Sequence, residues 1–361
     1  VLTAHVIQDR NFESRLAPEW DALLDSVPSA TPFQSRHWVG AWWRAFGARK
    51  QPHVIEVRET SGELVGLVPL YRTRFPWRAL RPMGTGVSDY LDPLCQAGRE
   101  NECVAALAEM LAEPKGVDLV DLHQWREPWA ERLQSASSAP LRRIADEACY
   151  TLDLPSTWDE YVAGLSKSLR YEARRLDKAP YACGQADVRT LTDPEEVREG
   201  LEALFDLHAK RWRKRGLPGV FALSRVRRFH HSYAKAALEA GHLRLSAIRS
   251  GDVIVGVIYA MAIGDRVFFY QSGFDPEAKT LSPGTVLVAH TLREAIRDGA
   301  RTFDFLRGDE PYKLRWQPQH RSVNSRLMLP LRRPLGQAGA TVNRWRVRLE
   351  ARIRTRIASR A

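Results

Sequence analysis

Long apolar runs are missing from this chain. No stretch of its 361 residues approaches the roughly 20 apolar positions that a membrane-spanning helix needs, so no integral membrane segment is expected. The N-terminal VLTAHVIQDRNFESRL lacks a basic segment followed by an apolar core, and no secretory signal is read there. Cysteine is scarce: Cys95, Cys103, Cys149 and Cys183 stand far apart without CxxC spacing. That argues against a disulfide framework or a zinc site and fits a reducing cytosol, so no metal is expected. The motifs GxxxxGK(S/T), HExxH and GxSxG do not occur, and Gly84-Thr85-Gly86 lacks the third glycine of a dinucleotide fingerprint.

What is present is an ordinary globular composition, 44% hydrophobic and 27% charged, in a length that suits about two domains. The unusual figure is a net charge of +11, which admits a nucleic acid, an anionic membrane surface or an anionic cofactor as partner. Its distribution narrows the choice. Residues 331–361 hold nine arginines and the single acid Glu350, so this tail carries +8 and the remaining 330 residues only +3. Val342, Trp345, Leu349, Ile353 and Ile357 recur there at steps of three or four, the apolar stripe of an amphipathic helix. Such a helix at 341–361 can lie on an anionic membrane or dock on the body with a solvated basic face. No RRM-type aromatics, zinc finger or helix-turn-helix signature supports a nucleic-acid partner.

Along the chain, Trp20, Leu23 and Leu24, then Trp38, Trp42 and Phe46, predict helices within 13–47. HVIEVRE and LVGLVPLYR, joined at Thr60-Ser61-Gly62, predict a hairpin; residues 100–112 predict a helix, and VDLVDLH a strand. The second half repeats this order. A helix YVAGLSKSLRYEARRLDKA, a strand near 186–191 and the helix PEEVREGLEALFDLHAKRWRKRG precede a helix at 225–240. The strands LRLSAIR, VIVGVIYAMAI and RVFFYQSGF follow, then the helix SPGTVLVAHTLREAIRDG and the buried strand RTFDFLRG. The expected fold class is α+β of three-layer α/β type, with domains at 1–154 and 155–330 and a basic amphipathic helix at 331–361.

Chemical candidates concentrate between Arg266 and Trp316. Ser282-Pro283-Gly284-Thr285 opens a helix whose first N–H groups attract anions, although Ser-Pro-Gly is also a routine helix entry. Asp304 sits among aromatics in an apolar strand, so it needs a cationic partner, for which Lys313 and Arg315 are candidates, or has a raised pKa and a catalytic duty. His208, Arg211 and Trp212 share one helical face at i, i+3 and i+4, as a base-bearing group or as ordinary core and surface residues. Lys167, Arg170, Arg174 and Arg175 form a basic arc, either solvated or lining the route of an anionic ligand.

Leu207-His208 with Arg211-Trp212, YQSGFDPE (270–277), SPG (282–284), AIRDG (295–299) and FDFLRGDEPYKLRW (303–316) resemble the CelD/FemAB-like acyltransferases. These belong to the GNAT (Gcn5-related N-acetyltransferase) superfamily. FQSRHWVGAWWRAFG, GLVPLYR and MGTGVSDYLDPL agree more loosely, and the resemblance spans about residues 10–330. It implies two tandem GNAT-like domains, each a mixed, largely antiparallel sheet flanked by helices, and direct acyl transfer to an amine. Tyr270, Gln271 and Ser272 would lie along the acyl group, backbone N–H groups would hold the oxyanion, and Ser282, Pro283, Gly284 and Thr285 would meet the donor's pyrophosphate. Asp304 or His208 would be the base. Arg211, Trp212, Arg307, Asp309, Glu310, Tyr312, Lys313 and Trp316 would contact the acceptor, with the loop 308–316 closing over it.

SPGTVL departs from the usual GNAT phosphate loop, roughly Q/R-x-x-G-x-G/A, and Fem-type relatives use aminoacyl-tRNA. A body of charge +3 favours acyl-CoA as co-substrate over tRNA, whose binding rests on phosphate contacts. The expected acceptor is an amine near the membrane, either a lipid amine such as a sphingoid base, by analogy with ceramide formation, or an envelope polysaccharide precursor. The expected location is cytoplasmic, peripheral on the inner membrane face. The alternatives are a Fem-like aminoacyl-tRNA-dependent peptidyl transferase and a non-catalytic partner in envelope synthesis.

Overall fold

The computed structural model describes residues 2–178, 181, 184, 186–214, 216–331 and 334–358; in the last helix, side chains are described at 334–347 and 349. Strand β1 (Leu2–Ile7) precedes helices α1 (Phe12–Arg15), α2 (Ala17–Ser26) and α3 (Arg36–Phe46). Strands β2 (Gln51–Glu59), β3 (Leu64–Arg72), β4 (Ala79–Pro82) and β5 (Leu94–Cys95) lead to α4 (Glu100–Ala112), β6 (Leu119–Arg126), α5 (Glu127–Ala136) and β7 (Arg142–Asp153). Then come α6 (Trp158–Gly164), α7 (Lys167–Ala173), β8 (Asp187–Leu191), α8 (Pro194–Arg213) and α9 (Ser224–Glu239). The meander β9 (Leu243–Ser250), β10 (Val253–Ile263) and β11 (Arg266–Phe274) is followed by α10 (Pro283–Arg297) and β12 (Thr302–Arg307). The chain ends with α11 (Pro311–Arg315), β13 (His320–Pro330) and α12 (Pro334–Ala358).

The chain forms two compact units, Val1–Ala148 with Ser322–Ala361, and Cys149–Arg321. In the first, the strand order is β1-β2-β3-β4-β6-β13, with β5 beside β3; β4 and β6 run parallel and the other pairs antiparallel. In the second the order is β7-β12-β11-β10-β9-β8, with β11 and β12 parallel and the rest antiparallel. Each unit thus runs an antiparallel meander into a helix and then into a strand parallel to the meander's last one. The final strand of each sheet is exchanged: β13, which follows the second unit in sequence, pairs with β6, and residues 149–153 of β7 pair with β12.

Local sequence explains the helices that bear on function. Asp193 caps α8 by accepting the Glu195 and Glu196 amides, Pro194 occupies the first turn, and Lys210, Arg211 and Arg213 end it, matching the helix dipole at both ends. Its buried stripe, Val197, Leu201, Leu204, Phe205 and His208, recurs at helical spacing. On the opposite face of the second sheet, Val286, Leu287, Leu292 and Ile296 of α10 pack with Leu169, Ala173, Val267, Phe269, Phe303 and Phe305. The unit is therefore three-layered.

Several boundaries differ from expectation. The helix predicted across 161–179 breaks at Leu165-Ser166, because the Ser166 hydroxyl accepts the Leu169 amide and starts α7 anew. The domains expected at 1–154 and 155–330 meet the exchanged strands: residues 322–330 pack in the first unit as part of β13. The start of the tail is docked on the first unit, one of the two placements expected for it. Gly336 of α12 abuts the Asp118 carbonyl so closely that a Cβ there would fall 2.1 Å away, and Gly339 faces the Trp77 ring. Arg332, Arg333, Cys183 and Arg360 lie outside the described residues, as do the side chains of Arg348, Glu350, Arg352, Ile353, Arg354, Arg356 and Ile357.

Candidate functional site

The site is built where β11 and β12 part. Their parallel pairing runs through Arg266↔Thr302, Val267↔Phe303 and Phe268↔Asp304 and then stops. Both strands bulge just beyond that point. On β11, Tyr270 is the extra residue between Phe269, paired with Ala260, and Gln271, paired with Tyr259. On β12, the register with β7 slips between Asp304 and Arg307. Bulges turn strands and leave backbone groups off the ladder, so the pair opens into a slot whose β11 wall carries Tyr270, Gln271 and Ser272.

The β12 bulge is held by Asp304. Its carboxylate, 1% exposed, accepts the Leu306 amide at 2.8 Å, while the other oxygen lies 3.7 Å from the Arg266 guanidinium. Leu306 consequently sits at φ +58°, and Gly308 at φ +113°. The cationic partner is therefore Arg266 and not the expected Lys313 or Arg315. Lys313 is instead buried with its ammonium on the Arg307 and Gly308 carbonyls (2.6 and 3.2 Å) and on Glu310 (2.9 Å), where it ties off the strand end. Trp316, expected at the acceptor, is a core residue 3% exposed, and its carbonyl accepts the Tyr161 hydroxyl. Asp309 accepts the Tyr150 hydroxyl at 2.8 Å. Arg307 closes β12 half-buried.

On the α8 and α9 side of the slot, Tyr270 lies 5.6 Å from the His230 ring and 5.5 Å from Tyr259. Phe221 bridges His230 (5.3 Å) to His208 (4.8 Å), and Trp212 tilts against His208 at 5.7 Å. Gly219, at φ +73°, is required here, since a Cβ would fall 2.9 Å from the His208 ring and 3.2 Å from Trp212. Arg211 projects over Phe274 (5.6 Å), whose ring also meets Gly284 at the start of α10. Burial raises the Tyr312 phenol, with Glu310 adding to the effect and Arg211 opposing it. Ring contacts thus connect Tyr270 to His208 and Trp212 through His230 and Phe221, and Phe274 connects Arg211 to the Gly284 turn. His230, Tyr259, Phe221, Gly219 and Arg266 were missed; the pair His230-His231 at the centre of an amphipathic helix was the one available signal.

At the other end, Ser282 takes a left-handed conformation (φ +48°), and its carbonyl accepts both the Thr285 and Val286 amides, starting α10. Pro283 is buried and Thr285 half-exposed. Among the described residues no group of three His, Cys, Asp or Glu side chains is placed to hold a metal.

The family model described as an acetyltransferase (GNAT) domain matches residues 164–314. The second unit contains a GNAT-type acetyltransferase domain. The matched stretch holds α7 through most of α11, and so the whole slot. No curated protein matches the chain in sequence. Among solved structures, FemX is 13% identical with a TM-score of 0.65, over 89% of this chain and 97% of that one. L-PGS from Bacillus licheniformis is 14% identical with a TM-score of 0.55, over 91% and 96%. A tandem GNAT protein from the clavulanic acid biosynthesis pathway is 13% identical with a TM-score of 0.51, over 91% and 98%. At such identities the likeness is one of fold: a tandem GNAT-like, mixed α/β architecture.

Burial lowers the His208, His230 and His290 imidazoles of the second unit. It holds the His208 imidazole down at about 4, with Arg211 adding to the effect, and holds His230 at about 3. His290, on Thr190, is held at about 4, as is His53 in the first unit. Below the ordinary value of 6.5 the unfolded chain binds protons that these folded sites refuse, so stability falls as the pH drops from 6.5 towards 4. Thermal unfolding followed between about pH 7.5 and about pH 4.5 should show a midpoint that falls with more than one proton's dependence. A midpoint that is flat across this window contradicts the burial assigned to these rings.

Proposed function

We propose that this protein is an N-acyltransferase that moves an acyl group by direct attack of a primary amine, with acyl-CoA the favoured donor. The observation that carries the reading is the parting of β11 and β12 after Phe268 and Asp304, within the stretch that matches the GNAT domain. The acyl carbonyl lies along Tyr270–Ser272, where backbone N–H groups beyond the last ladder pair hold the oxyanion. The donor's phosphates meet the turn Ser282–Thr285. The acceptor arrives as an ammonium and must lose a proton before attack. His208 is assigned as the acceptor of that proton, because its imidazole is neutral and its Nδ1 has no partner among the described residues, whereas both Asp304 oxygens are engaged. The C–N bond then forms at the acyl carbon, the C–S bond breaks, the nitrogen gives up its second proton to the leaving thiolate, and the proton held on His208 passes to solvent. Arg211, Trp212, Arg307, Asp309, Glu310 and Tyr312 frame the acceptor side.

A second reading, a Fem-like transferase using aminoacyl-tRNA, is favoured by the likeness in fold to FemX. Incubation with acyl-CoAs of about two to eighteen carbons and a panel of amines tests the donor. Amine-dependent thiol release is expected, and His208→Ala should lower kcat by roughly 10²–10⁴. No binding or turnover at any chain length would sink the acyl-CoA reading, and salt-sensitive tRNA binding in its place would establish the second.

The acceptor proposed is an amine at the membrane surface, a lipid amine such as a sphingoid base or an envelope precursor, reached from the cytoplasmic side. Support comes from α12. Opposite its docked face, Leu335, Val342, Trp345 and Leu349 are 40–64% exposed along one stripe, beside Arg346, in a tail carrying nine arginines. No described helix is long and apolar enough to cross a membrane, so the contact is interfacial. Vesicles rich in phosphatidylglycerol should float the wild-type protein, and the double variant Trp345→Glu, Leu349→Glu should bind at least roughly tenfold more weakly. Equal flotation of the two contradicts this surface.

A further inference from the structure

We infer that the outer face of α7, with the turn that follows it, is a platform for a phosphorylated adenosine. The inference rests on the acyl-transfer reading with acyl-CoA as donor, since CoA carries a 3′-phosphoadenosine beyond its pyrophosphate. Lys167, Arg170, Tyr171 and Arg174 recur at i, i+3, i+4 and i+7 and so share one face, while Leu169, Ala173 and Leu176 on the other face pack into the core with α10. Tyr171 is 60% exposed, an unusual placement for a large ring, and the Lys178 ammonium stands 4.5 Å over it.

The charge of this face is not cancelled locally. Glu172 turns to Arg175 and Asp177 to Arg293, whereas Lys167, Arg174 and Lys178 are exposed and form no ion pair among the described residues. Arg170 has a structural task, donating to the Ala163 and Leu165 carbonyls across the break between α6 and α7. The element is also fastened to the start of α10. The Arg175 guanidinium donates to the Thr280 carbonyl, and the Tyr181 hydroxyl donates to that of Leu281 at 2.6 Å. These are the two residues before Ser282, so the platform is tied to the turn assigned to the donor's phosphates. An exposed aromatic ring among unpaired cations matches a nucleobase and its phosphates: the ring stacks on the base and the cations meet the phosphate oxygens. Stacking accepts any base; adenosine follows from the donor chemistry.

The probe is adenosine 3′,5′-bisphosphate, titrated calorimetrically into the full-length protein, with CoA and a CCA-ended acceptor minihelix as competitors. Tyr171→Ala should weaken binding of the bisphosphate at least roughly tenfold, Tyr171→Phe should restore it, and Arg174→Glu should weaken it, with circular dichroism unchanged because these side chains are on the surface. Displacement by CoA supports the platform, and displacement by the minihelix alone overturns its assignment to CoA. Absence of binding by the wild type, or equal binding by wild type and Tyr171→Ala, overturns it. Thiol release separates this failure from that of the transferase. If acyl-CoA is turned over and Tyr171→Ala leaves its KM unchanged, the platform falls and acyl transfer stands. If bisphosphate binding depends on Tyr171 but no carrier releases its acyl group, the platform stands and acyl transfer falls.

Discussion

The buried carboxylate of Asp304 is the interaction on which the site depends. A left-handed leucine at 306 costs roughly 1–2 kcal/mol in backbone strain, and a carboxylate taken out of water costs more unless it is bonded. One contact answers both: the Asp304 oxygen receives the Leu306 amide at 2.8 Å, a charge-assisted bond worth about 1.5–3 kcal/mol, with Arg266 balancing the charge. The kink so held turns β12 off its parallel ladder at the place where Tyr270 makes β11 bulge. A residue that reads in the sequence as a candidate base is therefore the brace of the slot, and the proposed proton acceptor is the His208 imidazole.

The first unit shows the same topology put to another use. Its parallel pair, β4 and β6, is short, Ala79↔Leu119 and Leu80↔Val120. Beside it Asp121, fully buried, takes Arg81 at 2.9 Å and Arg326 at 2.8 and 2.9 Å. Burial alone would raise this carboxyl, but His123 and then Arg326 hold it far below the usual carboxylate range, while burial lowers the His123 imidazole in turn. Removing one member of such a network strands buried charge, which typically costs 3–5 kcal/mol. An ion network therefore lies beside the parallel strands of the first unit, while those of the second part into a slot. The proposed acyl transfer is accordingly assigned to the second unit.

Much of this architecture is legible in the sequence where pattern and burial agree. The helix expected at 100–112 is α4 to the residue, and β10, β11, α10 and β12 all stand where β-branched runs and the Ser-Pro-Gly entry put them. The exchanged strands β7 and β13 are not legible, because RRIADEACYTLD and HRSVNSRLMLP mix charge with apolar residues and find their partners far away in the chain. The site is legible as a region and not as a set of roles. Its apolar surroundings mark Asp304 as needing a cation or having a catalytic duty, yet Arg266 is supplied by register across a parallel pair, which no local pattern encodes. Trp316 and Lys313 look like ligand contacts by type, but they are spent on the core and on the strand end.

The most direct test of the central claim is amide hydrogen exchange along β11, with and without a non-transferable acyl-CoA thioether. If the parted strands hold the acyl group, exchange across Tyr270–Phe274 slows on addition of the thioether while Arg266–Phe268, already laddered to β12, changes little. Binding of the thioether that leaves Tyr270–Phe274 unchanged and protects another part of the chain would contradict the account.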